Sequence, residues 1–373
     1  MVRHYLDHAS TSPLRPEARQ ALVDALDQAG DPGRVHHEGL VARVTVEQAR
    51  EQVAGLLGAR PREVVFTSGA TEAIAAVAWG AAPRGGHQVV TAVEHSAVPA
   101  AARRHGEVTV VGVDGQGRVD AEAVLGAIGP DTAVVHVQWG NHEVGTTQPV
   151  AAVVAGARER GVLVHVDAAQ AAGRVPIHFA DLGADLLSIS GHKLGGPPGT
   201  GALLVRRGLR LAPLLVGSDQ ERARRAGLEN TPALAGLGAA AATLAADGRL
   251  PAEEAESRRL TERVLAGVAA LDGVRVHGDP EGRLPHLVCL GVDDVEPQAV
   301  LLGLDRAGIA CHSGSACSSE ALEPSPVLAA MGVDALRSLR VSVGWSSTEA
   351  DVDALLAALP EVLAGLRALR RPT

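Results

Sequence analysis

The chain has 373 residues, 46% hydrophobic and 21% charged, with a formal net charge of −9 and a pI near 5.9. The hydrophobic share excludes a disordered chain, and the acidic balance removes the electrostatic case for nucleic-acid binding, which a short patch such as Arg222-Ala223-Arg224-Arg225 does not restore. Its length exceeds the usual single-core limit and predicts two domains or one large domain with an appended lobe, with cores built from alanine, valine and leucine because aromatic residues make up only 2%.

The first segment, Met1-Val2-Arg3-His4-Tyr5-Leu6-Asp7, has no apolar run suited to a secretory signal. Apolar runs then predict strands at 64–67, 87–93, 108–113, 133–137, 163–167, 185–189 and 202–205. Helical stretches, such as 150–160, fall between most of them. This alternation predicts an α/β domain with a mainly parallel mixed sheet between helices. The stretch 233–246, rich in alanine and glycine, is too short for a membrane span and reads as a buried helix.

After Pro251 the pattern changes. A charged helix at 252–271 leads to short strands near 274–277 and 287–290, a helix at 298–307 and a Gly/Ser-rich loop at 312–319. A strand at 340–343 and a long amphipathic helix at 349–370 follow, the helix apolar at Val352, Leu355, Leu356, Leu359 and Val362. The expected division is a large α/β domain over 14–250 and a smaller α+β domain made of 1–13 and 251–373. The three cysteines, Cys289, Cys311 and Cys317, allow no disulfide framework and lack metal-binding spacing. No metal site is expected, and the chain reads as a cytoplasmic protein without a membrane segment.

Lys193 is the only lysine among 34 lysines and arginines. A guanidinium stays protonated, whereas a lysine amine can lose its proton and form a Schiff base, so this position points to chemistry that arginine cannot perform. It ends Ser188-Ile189-Ser190-Gly191-His192-Lys193, where a strand finishes and a site would open. Thr67-Ser68-Gly69-Ala70-Thr71 joins a strand to a helix N-terminus, a place that attracts phosphate, although the same spacing to Glu72 also describes a helix cap. Asp167 ends an apolar strand and needs a partner, either a cationic ring nitrogen or an arginine from a neighbouring helix. Gln170 lies three residues on, and His95 follows another strand, where its ring could stack on a planar ligand. A lysine amine, a ring-nitrogen acid, a phosphate cup and a stacking ring together fit pyridoxal 5′-phosphate (PLP).

With these blocks in place the sequence resembles the NifS/IscS-type cysteine desulfurases, class V members of the fold-type I PLP enzymes. The resemblance runs from Tyr5-Leu6-Asp7-His8-Ala9-Ser10-Thr11 to Ser338-Leu339-Arg340-Val341-Ser342-Val343-Gly344. Phe66-Thr67-Ser68-Gly69-Ala70-Thr71-Glu72, His165-Val166-Asp167-Ala168-Ala169-Gln170 and Gly314-Ser315-Ala316-Cys317-Ser318-Ser319 carry it most specifically. It implies a homodimer of fold-type I subunits that converts L-cysteine to L-alanine. Lys193 would hold PLP as a Schiff base and move the substrate's α-proton. Asp167 would pair with the ring nitrogen, Gln170 would contact the phenolic oxygen and His95 would stack. Gly69, Ala70, Thr71, Ser190 and His192 would form the phosphate cup, and Arg340, Asn141 and His142 the substrate site. Cys317 would take the sulfur as a persulfide and pass it to an acceptor protein, a scaffold, sulfurtransferase or biosynthetic sulfur carrier. Cys289 and Cys311 would be structural, with Cys311 near enough to be a secondary sulfur site.

Three segments depart from the family pattern. His142 stands where a second asparagine is usual, Asp31-Pro32-Gly33-Arg34 replaces an Asn-Pro-Ser-Ser loop, and Leu228 replaces a threonine whose hydroxyl reaches the partner subunit's phosphate. These departures keep two other readings in view: another class V PLP enzyme (a selenocysteine lyase, a C–S lyase or an aminotransferase) and a non-catalytic PLP-binding partner protein. Lys193→Arg keeps the charge but cannot form the Schiff base. It is expected to abolish both the near-visible absorption of the cofactor imine and turnover, measured by absorbance spectroscopy and a steady-state assay.

Overall fold

The computed structural model describes residues 2–313 and 324–370. Numbered along the described chain, the strands are β1 (His4–Tyr5), β2 (Val64–Thr67), β3 (His87–Thr91), β4 (Glu107–Val111), β5 (Thr132–Gln138), β6 (Leu163–Asp167), β7 (Leu186–Ser190), β8 (Gly201–Val205), β9 (Val274–His277), β10 (Leu287–Val292), β11 (Ile309–Ala310) and β12 (Ser338–Ser342). Seven of them form one sheet in the order β2-β8-β7-β6-β5-β3-β4. Strands β3 to β7 run parallel, and β8 is antiparallel to both of its neighbours.

Alternation along each strand explains why the sheet is covered twice. Val64 and Phe66, Val135 and Val137, and Val164 and Val166 share a core with the helices His37–Leu56 and Thr231–Ala245. Val65, Val134, Leu163 and Leu186 point the other way, onto Ala73, Val77 and Ala81 of the helix Ala70–Ala81. The chain jumps from β4 back across β3 to β5, so the strand order reverses between β3 and β5. Ligands collect beyond the carboxyl ends of strands at such a point.

The Ala/Gly-rich stretch is the buried helix Thr231–Ala245, packed against His37–Leu56 and Pro16–Ala25. The approach is close: a Cβ on Gly238 would lie 2.6 Å from Ala49 Cα. A second core surrounds the antiparallel sheet β12-β10-β9. It gathers Leu260 and Val264 from the helix Arg249–Val268, Leu304 from Pro297–Arg306, and Val352, Leu355 and Leu359 from Glu349–Arg370. The N-terminal segment belongs here too: β1 pairs with β11, Asp7 bridges to Ser342, and Leu6 enters this core.

The sequence boundaries shift in two places. The helix expected at 252–271 starts at Arg249, with Pro251 in its first turn, where a missing N–H breaks no helical bond. Strand β3 stops at Thr91 because the Glu94 N–H turns back to the Thr91 carbonyl. Among the described residues no helix is long and apolar enough to cross a membrane.

A buried ion pair ties the first core to the segment before Thr231. Arg50 donates from Nη1 and Nη2 to the two Glu221 carboxylate oxygens at 2.7 Å each, and Glu221 also accepts from Phe66 N. Both side chains are almost fully buried. Removing one partner leaves the other charged and buried, so Glu221→Ala is expected to lower stability by about 3–5 kcal/mol. The urea unfolding midpoint measures it.

Candidate active site

The carboxyl ends of β2, β3, β5, β6 and β7 open onto one cavity of about 530 Å³. Its lining includes Gly69, Ala70, Thr71, His95, His142, Asp167, Gln170, Ser190, His192, Lys193 and Arg340. Residues from six separated segments therefore meet. Of the expected site residues within the described chain, only Asn141 is absent from the lining. Its amide is committed elsewhere: Nδ2 donates to Val93 O, and Oδ1 accepts from the Glu143 and Val144 N–H groups. Cys317 lies outside the described residues.

Lys193 ends a short 3-10 turn after β7. Its carbonyl is held by Ser12 Oγ and Arg174 Nη2, each at 3.0 Å, and the turn is closed by the Leu194 N–H bond to Gly191 O. Asp167 is buried at the end of β6. Its Oδ1 accepts from Ala169 N at 3.0 Å and from Ser188 Oγ at 3.2 Å. No arginine among the described residues pairs with it, so the neighbouring-helix partner considered from the sequence is absent there.

The loop Thr67–Thr71 does open a helix, whose first-turn N–H groups face the cavity beside Ser190 and His192. Close backbone approach shapes this cup, since a Cβ on Gly201 would lie 2.6 Å from Gly69 Cα. Burial and the charge of Lys193 lower His192 to about 4, so it is a neutral imidazole, with Nδ1 3.1 Å from Thr11 Oγ1. Glu72 stands in the same turn. Burial opposes its ionisation, but hydrogen bonds from Arg225 and Ser68 hold its carboxyl below the usual range.

His95 accepts from Ala97 N at Nδ1, and its ring meets His142 edge to face at 5.2 Å. Gln170 donates to Ala9 O and accepts from His286 Nε2. Arg340, 1% exposed on β12, donates from Nη1 to His142 O and from Nη2 to Asp7 Oδ1 and Ser10 Oγ. Its Nε is buried without a partner among the described residues. Burial pushes the Cys289 thiol up to about 12 and the Cys311 thiol higher still, so Cys311, half-buried at the surface, is a protonated group poorly suited to the secondary sulfur role.

Sequence reasoning passed over Glu94, which is buried next to His95 in the chain. Its Oε1 accepts from Thr91 Oγ1 and Gln138 N, while Oε2 has no partner among the described residues. Burial, with the nearby Asp167 charge, raises it to about 8. Its place in Glu94-His95-Ser96 was visible, but its depth was not.

An amine, a buried carboxylate with no arginine partner among the described residues, and N–H donors at a helix start suit a phosphorylated ring with a basic nitrogen. Placed beyond the strand ends of this sheet, they define a fold-type I transferase. The chain belongs to the aminotransferase class-V family, among the cysteine desulfurases: the model described as "Aminotransferase class-V" matches residues 4–355. It is 42% identical to the cysteine desulfurase of Cereibacter sphaeroides, over 99% of this chain and 98% of that protein. A solved NifS-like protein superposes with a TM-score of 0.90 at 30% identity, covering 98% of this chain and 100% of that one. The structure described as SspA in complex with cysteine gives a TM-score of 0.80 at 28% identity, covering 92% and 100%.

Glu94 links stability to pH. It ionises near its ordinary 4.5 in the unfolded chain and near 8 when folded. The stability of its neutral form is complete below the lower value and is lost as pH rises through the upper one, at about 1.4 kcal/mol per pH unit between them. Glu94→Gln stays neutral, so its urea midpoint is expected to fall less than wild type between about pH 5 and pH 8. Equal falls in the two proteins would show that Glu94 does not titrate as a buried acid.

Proposed function

We propose that this chain is a PLP-dependent cysteine desulfurase, converting L-cysteine to L-alanine and passing the sulfur to Cys317 and then to an acceptor protein. The observation that carries this reading is the convergence of Lys193, Asp167 and the Gly69–Thr71 helix start on one cavity. It occurs in a chain 42% identical, along nearly its whole length, to a named cysteine desulfurase.

When bound, PLP supplies a ring that withdraws electrons from the substrate carbons. Lys193 would hold its aldehyde carbon and then move the proton at the substrate Cα. Asp167 would face the ring nitrogen, His95 the ring plane and Gln170 the phenolic oxygen. Gly69, Ala70, Thr71, Ser190 and the neutral His192 would donate to the phosphate. Arg340 would bind the substrate carboxylate through N–H groups left over from Asp7, Ser10 and the His142 carbonyl. His142 lines the substrate side, and Asn141 acts one step back by holding the turn that carries it.

The sulfur step needs a thiolate. Cys289 and Cys311 stay protonated near neutral pH, which favours Cys317, in its segment of small residues, as the group that attacks the substrate sulfur. The Cβ–S bond breaks as the S–S bond forms, a proton replaces sulfur on carbon, and alanine leaves. Exposed Leu215, Val216 and Leu228 support a homodimer, with Leu228 offering contact area where a hydroxyl donor is usual.

With L-cysteine and a thiol reductant, the purified protein is expected to release alanine and sulfide in equal amounts. Cys317→Ala should lose sulfide release by orders of magnitude while keeping PLP absorbance. Undiminished turnover in that variant would favour a lyase or aminotransferase and overturn the desulfurase reading.

A further inference from the structure

A second cavity, of about 340 Å³, shares only Glu72 with the lining of the first. Its floor is the apolar surface of Val65 on β2, Leu203 on β8 and Ala76 of the helix Ala70–Ala81. The segment 211–215 crosses that helix and closes one side. Trp79 Nε1 donates to Pro213 O at 3.1 Å, and a Cβ on Gly80 would lie 2.9 Å from Leu211 Cβ. The remaining wall is the turn that carries Arg222, Ala223, Arg224 and Arg225. A volume of this size falls within the range of small-molecule sites.

Charge on this lining is one-sided. Four arginines, Arg210, Arg222, Arg224 and Arg225, stand there with one carboxylate, Glu72. Glu72 is taken by Arg225 at 2.9 Å, and Arg222 is paired with Glu47 at 2.8 Å. Arg210 and Arg224 have no carboxylate partner among the described residues. Arg224 is half-buried, and its Nη2 and Nε donate to the carbonyls of Val64 and Glu221. Burial is the main reason that its proton affinity falls to about 10; Glu221 and Glu47 oppose that fall, while Arg222 and Arg50 deepen it. The guanidinium still carries its charge near neutral pH, and a desolvated charge is costly until an opposite one meets it.

The turn that presents Arg224 is strained. Glu221, Arg222 and Ala223 are consecutive non-glycine residues in the left-handed region, with φ of 48°, 58° and 60°. L-residues avoid that region, and the buried pair between Glu221 and Arg50 holds the turn there. We propose that this cavity is a binding site for a small carboxylate with an apolar body. The carboxylate would meet Arg224 through N–H groups not engaged by Val64 and Glu221, and the body would cover Val65, Ala76 and Leu203. Exposed Arg210 adds a second positive charge at the lining. Lys193, Asp167 and Arg340 take no part in this lining, so the proposal does not rest on the PLP reading.

The test is calorimetric titration of the purified full-length chain with octanoate and with 3-phenylpropanoate. Acetate and 1-octanol serve as probes of the charged and apolar halves alone. Saturable one-to-one binding of at least one of the two acids is expected, the tighter one showing whether the body is alkyl or aromatic. Acetate and 1-octanol should each bind roughly tenfold or more weakly than that acid. Arg224→Met removes the charge and Ala76→Phe fills the floor, and each should weaken binding by roughly tenfold or more. Absence of saturable binding, equal binding of 1-octanol, or unchanged affinity in either variant shown to be folded by circular dichroism would overturn the proposal. So would a dimer in sedimentation that binds neither acid, because a second copy would then occupy the cavity.

Discussion

A carboxylate buried at the end of a parallel strand, with no arginine opposite it among the described residues, is the constraint around which the site is organised. Burying such a charge costs several kcal/mol unless something answers it. In this protein Asp167 receives one backbone N–H from Ala169 and stands at the mouth of the cavity with Lys193, His95 and Gln170 around it. The strands that hold it in place are buried on both faces. Their packing fixes the carboxylate at the cavity mouth.

The remaining groups arrive by different structural routes. Lys193 and His192 come from the turn after β7, pinned by Ser12 and Arg174. The anion cup exists because glycine at Gly201 lets β8 run against the Gly69 backbone. Arg340 reaches the cavity from the other core, on β12, and its guanidinium is held by Asp7 and Ser10 of the N-terminal segment. A short stretch at the start of the chain, paired with β11 and bridged to Ser342, thereby positions the arginine assigned to the substrate carboxylate.

Electrostatics within the site follow from depth. Glu94 is lifted to about 8 and His192 lowered to about 4 chiefly because burial penalises whichever form is charged. Glu72 remains ionised because Arg225 and Ser68 bond its oxygens. The cup is therefore neutral at His192 and balanced at Glu72, with N–H groups rather than net charge to meet an anion.

Much was legible in the linear sequence. Apolar runs marked the strands of the large sheet to within a few residues, because side chains on both faces of each strand must satisfy two different cores. A single lysine in an arginine-rich chain marked the amine, since no other residue type supplies that chemistry. Other features required the fold. Asn141 and His142 are adjacent in sequence, yet one amide is consumed by backbone while the other ring lines the cavity, a difference decided by the turn between them. Val65, Ala76, Leu203 and Arg224 are scattered along the chain and line one cavity only through strand pairing and helix packing. Sequence thus determined which chemical groups were available and on which local elements. Tertiary structure alone decided which were buried, which lost their charge and which met, because depth and distance depend on contacts between residues remote in the chain.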